Sequence, residues 1–276
     1  MSNRYFEINK KKWNELATKH YENNPQYVQD FIENREGLHS VEIEEMGDVR
    51  GKRLLHLQCH FGMDTLAWAI RGAIVTGVDF SEVAIANARD LAQRMNLEAK
   101  FAHCNICDLK DHLNDKFDVV FTSYGAICWL NDLEKWAEII AHFLVPTGYF
   151  YVADAHPFAL VFDNDKEQEF AIKYDYFESE SKTPLRFEED SSYMNPEIKL
   201  QNTTEFTWQY TISGIINSLV KHGLSIDWLH EHPKICWKLL DILELADDGW
   251  WYWPKAYEKK RIPLLFSLKA TKRNDT

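Results

Sequence analysis

Between Gly51 and about Ala155, short apolar runs alternate with longer stretches in which apolar residues return every three or four positions. Runs of the first kind suit buried strands and stretches of the second kind suit helices packed along one face, so their alternation predicts a parallel sheet covered on both sides. Arg53 to Leu57 reads as the first strand and Ala73 to Val78 as the second. Ala99 to His103, Asp118 to Thr122 and Tyr149 to Asp154 follow as the third, fourth and fifth. Between them, Leu66, Ala67 and Ile70 mark a helix that Gly72 ends, and Ser81 caps one whose Ala84, Ala88, Leu91, Ala92 and Met95 share a face. A third helix, Asp132 to Leu144, buries Trp136, Ile139, Ile140 and Phe143, and Pro146-Thr147-Gly148 turns the chain into the fifth strand.

After Pro157 the period changes. Residues up to Tyr210 are acidic and aromatic and alternate with period two, as in EFAIKYDYF and TTEFTWQY, which predicts an antiparallel addition. Ile212, Ile215, Ile216, Leu219 and Val220 form the stripe of a helix that stops at Gly223. Leu224 to Leu229 and Leu264 to Ala270 read as two closing strands, and Asn3 to Gly47 as a polar helical arm. The expected organisation is one domain: an arm or lid over 1–50, a βαβ core over 51–156, an antiparallel insert on the substrate side over 157–211, and a closing helix and strands over 212–276.

Composition adds exclusions. A chain of 276 residues can bury a substantial core. A formal charge of −12 disfavours a nucleic-acid backbone as partner, because phosphate binding needs a basic face; Lys10, Lys11 and Lys12 are too short a run to supply one. No apolar stretch reaches the roughly 20 residues of a membrane span, and the first residues lack a signal-peptide core. Five cysteines, an odd number, read as reduced thiols, which predicts a cytoplasmic protein. Ten tryptophans, many outside the apolar strands, predict aromatic-lined clefts as well as core. Oligomeric state leaves no mark.

The chemistry concentrates in LLHLQCHFG, Leu54 to Gly62, and VTGVDFS, Val75 to Ser81. A buried strand runs into a tight turn and a helix, and the next strand ends on an acid, Asp79. That layout builds an adenosine site, in which the turn admits the ligand close to backbone and the acid accepts both ribose hydroxyls. The turn keeps one glycine where the dinucleotide fingerprint needs three. A nicotinamide-dependent dehydrogenase therefore explains Asp79 but not the turn.

These two segments resemble the first motifs of class I S-adenosylmethionine-dependent methyltransferases, and in particular a mostly bacterial branch whose turn reads Q-C-H-F-G. The resemblance continues through FDVVFTSYGAICWL, AHPF, WLHEH, the Trp250-Trp251 pair and PLLFSLKATK, over nearly the whole chain. It implies an α/β fold: a Rossmann-like, seven-stranded, mostly parallel sheet with one antiparallel strand, helices on both faces and a β-rich insert. It implies S-adenosyl-L-methionine as cofactor and methyl transfer to an O, N or C nucleophile of a small molecule. By the same resemblance Leu57, Gln58 and Gly62 belong to the cofactor turn, and Asp79 holds the ribose with Phe80 on the adenine. Asn105 stands where the family often has an acid for the adenine amino group, with Ile106 against the ring, and Ser123 and Tyr124 flank the methionine and sulfonium. Asn105 serves equally as an ordinary turn residue. His56 stands in place of an acid, and Gln58 and His60 in place of glycines, so His56 and His60 are either ligands of the methionine end or satisfied buried histidines.

For catalysis, His156 at the end of the fifth strand is the first candidate general base, its ordinary pKa lying near neutrality. His230 in Trp228 to His232 is a second, and Tyr124 a third. Tyr21, Tyr124, Trp129, Trp250 and Trp251 are candidates for an aromatic wall near the methyl group. Cys104-x-x-Cys107 and His230-x-His232 lack the further ligands of a zinc site, so no metal is expected. A module that binds the cofactor without turnover is the reading from a different class, and an RNA or protein methyltransferase is the alternative enzyme.

Overall fold

Three helices begin the chain in the computed structural model, which describes residues 3–22, 25–162, 171–177, 183–192, 195 and 197–273. They are α1 (Asn3–Glu22), α2 (Pro25–Asn34) and α3 (Ser40–Met46). The alternating segment then gives β1 (Arg53–Leu57), α4 (Met63–Ile70), β2 (Ile74–Asp79), α5 (Glu82–Arg94), β3 (Lys100–His103), β4 (Phe117–Ser123), α6 (Leu133–Phe143) and β5 (Leu144–Ala155). A hairpin of β6 (Leu185–Glu188) and β7 (Thr204–Thr207) follows, then α7 (Ile212–Lys221) and β8 (Leu224–His232). Three short strands, β9 (Lys234–Ile235), β10 (Glu244–Leu245) and β11 (Trp251–Tyr252), form their own antiparallel sheet before β12 (Leu265–Lys272).

The main sheet has the order β3-β2-β1-β4-β5-β12-β8. Strands β1 to β5 pair in parallel, and β12 alone runs antiparallel to both neighbours, β5 and β8. This is the seven-stranded, mostly parallel α/β architecture that the sequence predicts. Both faces are covered because the strands are apolar on both. Trp136, Ile139 and Ile140 of α6 and Leu219 of α7 pack on one face, and Trp68 of α4 with Phe121 and Tyr151 on the other, all fully buried. Each such side chain contributes about 2–3 kcal/mol by leaving water.

Three local readings need correction. Pro146-Thr147-Gly148 is not a separate turn: it lies within β5 as an irregularity in the β4–β5 register, with Thr147 at a φ of 64°. β8 continues past Leu229 to His232, because β12 offers it pairing partners that far. The small sheet of β9, β10 and β11 has no forerunner in the sequence reading, since strands of two residues are too short to show a period. Part of the antiparallel insert read from EFAIKYDYF falls on residues 163–170 and 178–182, and these, like 193, 194 and 196, lie outside the described residues.

The arm is fastened to the insert by side chains. Asn9 donates its amide to the Phe206 carbonyl at 2.7 Å and accepts the Phe206 N–H at 2.8 Å, and Glu15 accepts the N–H groups of Gln201 and Asn202. No helix among the described residues is long and apolar enough to cross a membrane.

Candidate functional site

The turn after β1 is held in an unusual backbone conformation. Gln58, His60 and Gly62 have φ values of 57°, 49° and 80°. Only glycine reaches that region without a Cβ clash, so Gln58 and His60 hold it against a cost of about 1 kcal/mol each. At Gly62 a Cβ would also stand 2.8 Å from the Phe101 ring and 3.0 Å from Ala88, so nothing larger fits. The Cys59 N–H donates to the Val78 carbonyl at 2.9 Å, which fixes the turn against the end of β2.

Asp79 closes that end. Its carboxylate accepts the His60 and Ser81 N–H groups, each at 2.8 Å, so the acid and the turn position one another. Burial pushes its pKa up to about 6 despite those bonds. Ser81 caps α5 and donates its hydroxyl to Asn14, whose amide reaches Glu82, so α1 lies directly over this corner.

A second cluster joins β1 and β4. Ser123 donates its hydroxyl to Asp64 at 2.8 Å, while His56 lies 3.2 Å from the Ser123 oxygen by Nε2 and 2.8 Å from Thr65 by Nδ1. A hydroxyl has one proton to give. With that proton on Asp64, His56 carries its own on Nε2 and accepts from Thr65. Burial lowers the His56 pKa to about 3, so the ring is neutral, and raises that of Asp64 to about 6. At the end of β5, the Asp154 carboxylate accepts the N–H groups of Gly125, Ala126, Ile127 and Ala155 at 2.6–3.0 Å and sets the loop after β4.

These groups form the floor of a cavity of about 840 Å³ at the carboxyl ends of β1, β2, β4 and β5. That is where open α/β sheets bind ligands. The roof comes from α1, the β6–β7 hairpin and the segment after β9, and includes Trp13, Phe187, Trp208 and Trp237. Tyr124 lines the wall and donates its hydroxyl to Glu42 of α3, which also accepts the His39 N–H at 2.6 Å. Glu42 is 1% exposed, and burial pushes its pKa up to about 8.

Of the residues singled out from sequence, Gln58, Gly62, Asp79, Phe80, Ser123 and Tyr124 line this cavity together. Leu57, Asn105, Ile106, His156 and His230 do not. Leu57 is fully buried in the sheet core, and Asn105 accepts the Cys107 N–H as the cap of a short helix, with Ile106 in the core below it. His156 turns the other way from its neighbours Ala155 and Pro157. Its backbone pairs with Leu264, and its ring packs near Phe266 with Nε2 3.0 Å from Glu231, on the antiparallel side of the sheet. His230 stacks on Trp228 at 4.3 Å and meets Glu45 at 2.8 Å, outside the cavity. Of the proposed aromatic wall, Tyr124 and Trp129 line the cavity and Tyr21, Trp250 and Trp251 do not. No group of three or more His, Cys, Asp or Glu suited to a metal ion occurs among the described residues.

Sequence reasoning passed over Asp64, Glu42, Lys12, Trp13 and Gln209. Asp64 carried a signal, two residues past the glycine in the first turn of α4; the others reach the site only through long-range packing.

Residues 54–148 match the family model described as a methyltransferase domain. A ubiquinone biosynthesis O-methyltransferase of Pseudomonas syringae pv. tomato is 32% identical over 78 residues, covering 28% of this chain and 34% of that protein. The chain thus spans about a third of the length of that relative. Among solved structures, an S-adenosylmethionine-dependent methyltransferase from Mesorhizobium loti superposes with a TM-score of 0.56 at 20% identity, covering 84% of this chain and 96% of that one. One from Clostridium acetobutylicum gives 0.56 at 13% identity, covering 91% and 99%.

Proposed function

We propose, for a chain that carries a methyltransferase domain on the class I S-adenosylmethionine-dependent methyltransferase fold, that the cavity binds S-adenosylmethionine and passes its methyl group to a small molecule. The observation that carries this reading is the corner of Asp79 and the left-handed turn. Both sit at the strand ends, and the Asp79 carboxylate, fixed by the His60 and Ser81 N–H groups, lines the cavity where a ribose diol would meet it. The donor set fits the cofactor elsewhere too. Gln58 Oε1 and His60 Nε2 are buried in the wall and meet no partner among the described residues, and Asp64 offers a carboxylate to a cationic group.

When bound, the cofactor supplies a methyl group already activated by positively charged sulfur. The chain then has to align, to exclude water and to take up a proton where the acceptor carries one. The roof of α1 and the hairpin excludes water. Tyr124 and Glu42 form the proton path in this reading above about pH 8, where Glu42 is ionised: Tyr124 takes the acceptor's proton as its own hydroxyl proton moves to the Glu42 carboxylate. His156 and His230 do not line the cavity, so they are not assigned that task.

Thermal-shift titration with S-adenosylhomocysteine tests the reading. Ligand at 100 times its dissociation constant adds about 2.7 kcal/mol to stability, several degrees of midpoint. Asp79→Ala should weaken that binding by roughly 1.5–3 kcal/mol, about 10- to 150-fold. Absence of any shift at millimolar ligand in the wild-type protein would end the cofactor reading, and binding without turnover across an acceptor panel would favour a non-catalytic module.

A further inference from the structure

The wall of the cavity has a charge character that bears on the acceptor. Among the described residues Lys12 is its only lysine or arginine. An ammonium has three N–H donors, and Lys12 meets three acceptors: Glu205 at 2.6 Å, the Thr203 carbonyl at 3.2 Å and the Glu189 carbonyl at 3.3 Å. Its side chain is 3% exposed, and its charge is matched by Glu205. His39, His56 and His60 face the same space as neutral rings, since burial lowers their pKa values to about 4, 3 and 3. Carboxylates stand opposite, in Asp64, Asp79 and Asp154. The cofactor's carboxylate comes with its own ammonium, but no described cation of the wall remains to meet a carboxylate or phosphate on the acceptor, and an unpaired anion is expensive to bury.

The rest of the roof is flat and apolar. Trp13 stands edge-on to Trp129 at 5.1 Å, with Trp208 and Phe187 alongside. Polar side chains interrupt it, among them Thr207, Tyr210 and Gln209. Gln209 is 5% exposed, lines the cavity, and its Nε2 meets no acceptor among the described residues. The Trp208 N–H donates to the Cys128 carbonyl at 2.7 Å, which seats Gln209 over the loop after β4, two strands along the sheet from Asp79. A buried amide donor without a protein partner calls for an acceptor atom on whatever fills the space.

We propose that the methyl acceptor is a planar, aromatic or conjugated small molecule without carboxylate or phosphate, held by a hydrogen bond from Gln209 to one of its uncharged oxygen or nitrogen atoms. This rests on the cofactor reading above, and the experiment separates the two. Protein saturated with S-adenosylhomocysteine is titrated calorimetrically at pH 7 with three probes of one flat body: 2-naphthylmethanol, 2-naphthylmethylamine and 2-naphthoate. The neutral and cationic probes should bind at least about tenfold more tightly than the anion, the scale of one mismatched charge. Gln209→Leu should weaken 2-naphthylmethanol about fivefold, the size of one net hydrogen bond. Glu205→Gln, which leaves the Lys12 charge unmatched, should raise affinity for 2-naphthoate. The proposal is overturned if 2-naphthoate binds as well as the neutral probe to the wild type. Failure of the neutral and cationic probes to bind at 1 mM, with S-adenosylhomocysteine still bound, overturns it too. Loss of S-adenosylhomocysteine binding itself would instead remove the cofactor reading on which it stands.

Discussion

The floor and the roof of the cavity are assembled by different kinds of contact. The floor belongs to β1 to β5, which hydrogen-bond side by side in parallel within residues 53–155, and the turn and Asp79 lock together 19 residues apart. The roof is held by side chains that reach across most of the chain. Asn9 meets Phe206 at a separation of 197 residues, and His20 meets Ser192 at 172. A region of dense ladders and buried apolar faces opens only with the whole molecule, whereas one pinned by a few side-chain bonds opens locally at lower cost. The floor should therefore behave as rigid scaffold and the roof as the part that admits ligand.

The strongest way to break that contrast is at Asp154. Its carboxylate serves four N–H groups beneath the cavity, so Asp154→Ala leaves several buried donors unpaired at once. Unfolding in urea should show a loss of about 3–5 kcal/mol for the whole protein. A change below about 1 kcal/mol would mean that the floor does not depend on this anchor.

Glu42 joins floor to roof-side arm, and its effect should depend on pH. Its ordinary pKa of 4.5 is raised to about 8, chiefly by burial, with the bonds from Tyr124 and His39 opposing. A raised carboxylate favours the folded state when protonated, so its contribution is complete below about pH 4.5 and is lost as pH climbs through 8. Relative to Glu42→Gln, the unliganded protein should lose on the order of 3 kcal/mol of stability between pH 5 and pH 8, at about 1.4 kcal/mol per unit. In Glu42→Gln the slope should flatten. A difference between wild type and Glu42→Gln that stays constant over that range would reverse the assignment.

The same contrast explains what the sequence disclosed. Strands β1 to β5 and helices α4 to α6 were legible because burial on both faces leaves continuous apolar runs and helical stripes, as at Leu54, Leu55 and Leu57 or at Trp136, Ile139 and Ile140. The cavity-lining places of Gly62 and Asp79 followed from the strand-turn-strand layout, and those of Gln58, Ser123 and Tyr124 from the family resemblance. His156 was misplaced because strand alternation was carried one residue beyond β5, where the pairing of its N–H with Leu264 turns the ring toward Glu231. Lys12, Gln209 and Glu42 were illegible for a different reason: each sits in a segment of ordinary polar appearance, and only contacts far along the chain bury it.

A smaller test separates the two regions by where its effect is felt. Lys12→Met removes the ammonium that links α1 to Glu205, Thr203 and Glu189 and leaves the Glu205 carboxylate without its partner. The cost should be about 2 kcal/mol, less than for a fully buried pair because Glu205 is 16% exposed. Hydrogen exchange should quicken in α1 and in β7 and stay unchanged in β1 and β4. Uniform acceleration across both would show that roof and floor open as one unit.

The smallest expected effect lies at His60, where the two regions touch. Its φ of 49° carries the strain of a left-handed non-glycine residue, while its ring packs on Phe61 at 4.4 Å and on Trp13 and His20 of the arm at 5.4 and 5.6 Å. His60→Ala loses the ring and keeps the strain; His60→Gly loses the ring and releases it. The glycine variant should therefore be the more stable of the two by about 1 kcal/mol, read as a difference in thermal midpoint. Equal stabilities would mean that the turn costs nothing to hold. In that case the ring contacts to α1, rather than any demand of the backbone, would be the physical advantage of a histidine at this position.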